Sequence, residues 1–153
     1  MEVHIRSHKE ALAMIVAKPN TYDVIFINEP YFGVDAIFKQ KSRSLTTHFF
    51  HDLERPIKGR RMPKYNDVKA MLDFVDKKSN ILCCCPSGIS RSAAIGYAVT
   101  CMKFYNPEAA LKILDYDKHI PNVLISQYAS EILQKPDILG RINRFREGVF
   151  STL

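Results

Sequence analysis

The stretch NILCCCPSGISRS, residues Asn80–Ser92, decides the fold. Asn80–Cys84 is a short apolar run with no alternation. Such a run fits a central strand covered on both faces, because a half-exposed strand would alternate. Pro86-Ser87-Gly88 breaks it with turn chemistry. From Arg91 to Phe104 the chain is apolar nearly all round, which predicts a buried helix. A buried strand, a tight turn and a buried helix together predict an α/β unit.

The rest of the chain repeats this alternation. Toward the N-terminus, Val3–Ile5 and Asp23–Asn28 read as strands, and Leu45–Phe50 as another. Ser7 is a candidate N-cap for a helix over His8–Lys18, with Ala11, Ile15 and Val16 facing inward. Val34–Lys39 predicts a short helix. Lys64–Lys77 predicts an amphipathic one, with Tyr65, Val68, Met71, Leu72 and Val75 on one face. Toward the C-terminus, Asn106 caps a helix over Pro107–Tyr116, with proline at its favoured first position. Pro121-Asn122 opens a helix to Leu133, and Asp137–Phe150 forms the last. Strands alternating with helices imply a central, mainly parallel sheet flanked by helices.

The chain has 153 residues, which fits a single domain over residues 1–153. Hydrophobic residues make up 46% and charged residues 25%, an ordinary globular composition that excludes disorder. The formal net charge of +6 favours an anionic partner: nucleic acid, a membrane surface or a phosphorylated substrate. Three of the four cysteines, Cys83, Cys84 and Cys85, are consecutive and Cys101 stands apart. Neighbouring strand residues point to opposite faces, so this run suits neither a disulfide framework nor a zinc site. The pattern fits a reducing cytoplasm. The first ten residues lack the apolar core of a signal peptide, and Ala93–Val99 is too short to span a bilayer.

The chemistry lies in Cys85-Pro86-Ser87-Gly88-Ile89-Ser90-Arg91-Ser92. A cysteine closes the strand, and an arginine opens the helix after five residues. Gly88 lets the backbone turn tightly and approach a ligand. Successive N–H groups in such a loop form an anion-binding nest, and the helix N-terminus adds positive potential. Arg91 supplies a planar fork matching two phosphoryl oxygens. A free thiol is only a few per cent thiolate at pH 7, and the same positive field favours the thiolate form. One short segment therefore holds a candidate nucleophile and an oxyanion cradle.

The string CPSGISRSAA resembles the signature of the cysteine-based tyrosine phosphatases, above all the dual-specificity and atypical bacterial types. The resemblance covers roughly residues 45–134. It implies a dual-specificity-like α/β fold and hydrolysis of a phosphomonoester through a phosphocysteine, on a phosphotyrosine or dual-specificity substrate in a phosphorylated protein or peptide. It implies catalytic roles for Cys85, Arg91, Asp52 and Ser92, a phosphate loop of Pro86, Ser87, Gly88, Ile89 and Ser90, and no cofactor or metal. Asp52 follows the LTTHFF strand and lies 33 positions before Cys85, the separation typical of the family's general acid. Glu54 and Asp67 compete for that role. Ser92 would assist departure of the thiolate. Pro121-Asn122 is similar to the family's proline-asparagine pair, whose role is structural.

Two features depart from the pattern. Cys84 stands where the family usually has histidine, and Pro86 and Ile89 stand where lipid phosphatases of the superfamily carry lysines. The first leaves open a catalytically weak phosphopeptide-binding module, with Cys84 as a redox partner or a plain apolar strand residue. The second lowers the case for a phosphoinositide. An RNA 5′-phosphatase is permitted by the charge, but no aromatic platform is interleaved with the basic residues. A rhodanese-like sulfurtransferase fits the Gly88-to-Ser92 spacing less well, and the low-molecular-weight phosphatases place their cysteine near the N-terminus. The basic stretch Arg55, Lys58, Arg60, Arg61 and Lys64 reads as a guide for anionic substrates or as a solvated loop. His48, His51 and His119 lack metal-site spacing, with His51 a packing or hydrogen-bonding residue. Tyr65 and Tyr97 fit core positions, and Arg141, Arg144 and Arg146 have no assigned role.

Overall fold

Four strands carry the core of the computed structural model, which describes residues 2–151. They are β1 (Glu2–Ser7), β2 (Asp23–Asn28), β3 (Ser44–Phe49) and β4 (Asn80–Cys85), and every pairing is parallel. Their order is β1-β4-β2-β3. The last strand in sequence is thus inserted between the first two. Both edges of the NILCCC backbone are paired, which is why its side chains can be apolar on both faces. The sheet expected to be mainly parallel is wholly so among the described residues.

The helices are α1 (His8–Ala17), α2 (Ala36–Lys41), α3 (Tyr65–Phe74), α4 (Arg91–Phe104), α5 (Pro107–Ala110), α6 (Val123–Leu133) and α7 (Asp137–Ser151). On one face of the sheet, Val24, Phe26, Leu82 and Cys84 pack with Ala11 and Ile15 of α1 and Phe38 of α2. On the other, Ile25, Ile27, Ile81, Cys83 and Cys85 pack with α3, α4 and α6. Behind α4, Tyr97 and Cys101 meet Ala110, Leu114 and the Ile138, Ile142 and Phe145 stripe of α7. Helix α4 comes very close to β1 at Gly96, where a Cβ would lie 2.5 Å from Ile5 Cγ1. The near-complete burial of α4 follows from this three-sided packing.

Several expectations need correction. Strand β1 is longer than Val3–Ile5, and β4 runs on to Cys85 itself. Val16 is exposed: Ala11 and Ile15 are four apart and share a face, and Val16 lies about 100° round from it. Tyr65 is also exposed, its ring edge-on to that of Tyr128, whereas Tyr97 is buried. Helix α3 ends at Phe74 rather than Lys77, and α2 starts at Ala36, where the Asp35 side chain caps Ile37 N. Pro107–Tyr116 is not one helix. After α5 the chain tightens into a 3-10 turn over Leu111–Ile113, and Leu114 is extended so that its side chain joins the α4–α7 core. Among the described residues no helix is long and apolar enough to cross a membrane.

Candidate active site

The end of β4, the start of α4 and the loop after β3 meet at the carboxyl edge of the sheet. This is where ligands settle in open α/β folds, because neighbouring connections leave a crevice there. Cys85 is the last residue of β4 and is almost fully buried. Its Sγ lies 3.1 Å from Ser92 Oγ, and Ser92 is wholly buried in the first turn of α4. The side chains of Ser92 and Cys85 are thus locked together beneath the loop that joins them.

Gly88 shapes that loop. Its φ is +71°, a left-handed conformation that side chains disfavour. A Cβ there would also lie 2.5 Å from Ser7 N and 2.6 Å from Arg6 C. The loop therefore packs directly on the β1–α1 junction, which the Ser7–Glu10 capping box holds rigid. On its other side, Ile120 N donates to Ile89 O and Asn122 N to Ser90 O. The loop is clamped between two backbone segments.

Arg91 is buried and held at two points. Nη1 donates to Phe50 O at 2.8 Å, and Nη2 donates to Glu29 Oε1 at 3.1 Å. Its Nε is buried with no hydrogen-bond partner among the described residues. An unsatisfied buried donor on a cation is costly, and an incoming oxyanion would satisfy it. Glu29 belongs to none of the motifs that the sequence shows. Its other oxygen, Oε2, lies 3.8 Å from His51 Nε2. His51 Nδ1 accepts from Arg61 N at 2.9 Å, so the ring closes the base of the loop after β3.

Asp52 comes across from that loop. Its Oδ1 accepts from Ser90 Oγ at 2.8 Å and from Asn122 Nδ2 at 2.9 Å. Both bonds fall on one oxygen, and among the described residues Oδ2 has no hydrogen-bond partner. Asn122 is fully buried and does more than fix a turn. Its amide also donates to Leu53 O, while its Oδ1 caps α6 by accepting from Ile125 N. The other two carboxylates are spoken for. Glu54 Oε1 accepts from Val123 N and from Arg146. Asp67 accepts from Lys64 N at the start of α3 and pairs with Arg61.

A cleft of about 590 Å³ opens beside Asp52, lined by Leu53, Ile57, Ile89 and Ile120 together with Arg55 and Arg146. Of the basic stretch, only Arg55 lines it. Arg61 is turned away, donating to Phe49 O and Asp67. His48 bonds Thr46 on β3, and His119 accepts from Asp115 N, each in a structural setting. Burial pushes the Cys83 and Cys84 thiols up from their usual range, so both are neutral core groups. Cys84 faces the α1–α2 layer, on the opposite side of the sheet from Cys85.

Comparison with solved structures then decides the architecture. PTPMT1, solved in complex with PI(5)P, superposes with a TM-score of 0.61 at 16% identity, covering 91% of this chain and 92% of that one. The chain has the fold of the cysteine-based tyrosine phosphatases. Tk-PTP in its active form is also similar, with a TM-score of 0.52 at 15% identity, covering 90% of this chain and 89% of that one. No family model matches the sequence, and no curated protein does. The same fold is thus formed at only 15–16% sequence identity.

Proposed function

We propose that residues 1–153 form one cysteine-dependent phosphatase domain that hydrolyses phosphotyrosine, or phosphotyrosine and phosphoserine/threonine, in a protein or peptide. Cys85 attacks phosphorus and forms the phosphocysteine, while the amides of residues 87–91 and Arg91 Nε hold the equatorial oxygens. Asp52 protonates the leaving oxygen from Oδ2, then takes a proton from the water that attacks the intermediate. Ser92 donates to the Cys85 sulfur as it leaves.

The observation that carries this reading is the convergence on Ser90: Asp52, far away in sequence, is hydrogen-bonded to the same loop that bears Cys85 and Arg91. A buried cysteine with an unrelated arginine nearby would not need an aspartate brought to it and held by a buried asparagine. The loop itself carries no cation besides Arg91, since Pro86 and Ile89 are neutral. The cleft wall of Leu53, Ile57, Ile89 and Ile120 suits a flat apolar ring better than a polyol headgroup such as that of the PI(5)P bound to PTPMT1. Cys84 packs in the core on the face away from Cys85, which supports reading it as a plain apolar strand residue rather than a redox partner.

The test is hydrolysis of a small aryl phosphate, with vanadate as inhibitor, for wild type beside Cys85→Ser. The expected result is turnover in the wild type alone and vanadate binding in both. Turnover in Cys85→Ser equal to wild type removes the proposal, and so does a wild type that binds vanadate without hydrolysis.

A further inference from the structure

The C-terminal helix reaches the acid-bearing loop through one side chain. Arg146 of α7 donates from Nη1 to Glu54 Oε1 and to Pro121 O. Glu54 accepts Val123 N at the start of α6 through the same oxygen. Three consecutive residues, Asp52, Leu53 and Glu54, are therefore tied to the body of the protein: the first two by Asn122, the third by Val123 and Arg146. Beyond Glu54, the side chains of Arg55–Arg60 make no hydrogen bond among the described residues, and this part of the loop is exposed. Glu54 is thus the last anchor before a free span.

We propose that Arg146 is a positioning residue: through Glu54 it holds the loop so that Asp52 stays over the phosphate loop during proton transfer. This rests on Asp52 being the general acid. It makes a prediction that a merely structural role for α7 does not. Loss of Arg146 impairs substrates in proportion to their need for a proton. A nitrophenolate leaves readily without one, whereas a phenolate or a tyrosyl oxygen does not.

The experiment compares p-nitrophenyl phosphate with phenyl phosphate in wild type, Arg146→Ala, Arg146→Lys, Glu54→Gln and Arg141→Ala. Arg141 pairs with Glu108, away from the site, and controls for loosening of α7. In Arg146→Ala, kcat for phenyl phosphate should fall roughly three- to tenfold, the scale of a partly buried ion pair. The nitrophenyl rate and vanadate inhibition should stay close to wild type. Arg146→Lys should recover much of the loss. Glu54→Gln should reproduce it, and the double variant should add little, since both act on one contact. Arg141→Ala should slow both substrates equally or neither.

An equal fall for both substrates in Arg146→Ala, or no fall, overturns the inference. Asp52→Asn in the same assay separates the two failures. If it steepens the leaving-group dependence while Arg146→Ala does not, the acid assignment stands and the role of α7 is lost. If Asp52→Asn leaves the dependence unchanged, both fall.

Discussion

The proposed phosphate loop and the proposed acid loop sit side by side, yet they are built by different means. Residues 85–92 are fixed by the main chain. Gly88 lies against the backbone of Arg6 and Ser7, and Ile89 and Ser90 accept from the amides of Ile120 and Asn122. The flanking side chains, Cys85, Arg91 and Ser92, are almost fully buried. The loop over residues 50–63 has no helix or strand of its own, and its residues beyond Phe50 are mostly exposed. Main-chain bonds close its base, Phe50 N to Asn28 O and His51 N to Arg61 O, but the stretch around Asp52 is held by side chains: His51 on Arg61 N, Asn122 and Ser90 on Asp52, Arg146 on Glu54. The difference fits the chemistry expected of each. An oxyanion cradle works best when its dipoles are fixed before charge develops. An acid that must also become a base for water has to let a product leave and a water enter, and a loop held by side-chain hydrogen bonds opens at low cost.

The sharpest way to break this contrast is Gly88→Ala. Forcing alanine into a left-handed conformation costs about 1–3 kcal/mol, and the added Cβ meets backbone that cannot swing aside. Both stability in urea and vanadate binding should fall, and with them all turnover. A variant that keeps wild-type vanadate affinity would show that the main chain does not fix the cradle. Asp52→Asn should act on the other loop alone. Phosphotyrosine turnover should fall by about two orders of magnitude, within the range of general acid catalysis, while vanadate binding and urea stability hold. An unchanged rate would take the acid role away from Asp52. Asn122→Ala lies between the regions and gives the smallest effect on rate. Turnover should drop about tenfold, as for loss of one hydrogen bond to a charged group. Stability should drop by about 1 kcal/mol as α6 loses its cap. Rate loss without stability loss would mean that the cap and the acid contact are separable.

Much of this architecture could be read in advance because it rests on local rules. The unalternating run Asn80–Cys84 predicted a strand buried on both faces, and β4 is that strand. The apolar girth of Arg91–Phe104 predicted α4 at its observed bounds. The cysteine, glycine and arginine spacing predicted a tight loop on a helix start, and Gly88 sits there at positive φ. Other features depended on partners distant in sequence. Nothing near Glu29 says that Arg91 will reach it, 62 positions away. Asn122 carried a helix-cap signal that concealed its second bond to Asp52. Arg146 is one of three unassigned arginines on a helix whose apolar stripe gives only its inner face. Pro107–Tyr116 had helical propensity throughout, and burial of Leu114 overrode it.

The sequence by itself determined the strand–loop–helix at the centre and which of three adjacent cysteines closes it. Those outcomes follow from side-chain periodicity and from the backbone freedom of one glycine, both properties of neighbouring residues. Only the tertiary structure decided which carboxylate stands free at the cleft. Asp52, Glu54 and Asp67 are chemically equivalent along the chain. Glu54 pairs with Arg146 and Asp67 with Arg61, and among the described residues Asp52 alone of the three has no cation paired with it and is bonded instead to Ser90 of the loop after β4. That choice comes from ion pairs and hydrogen bonds between segments, whose geometry exists only once the chain has folded.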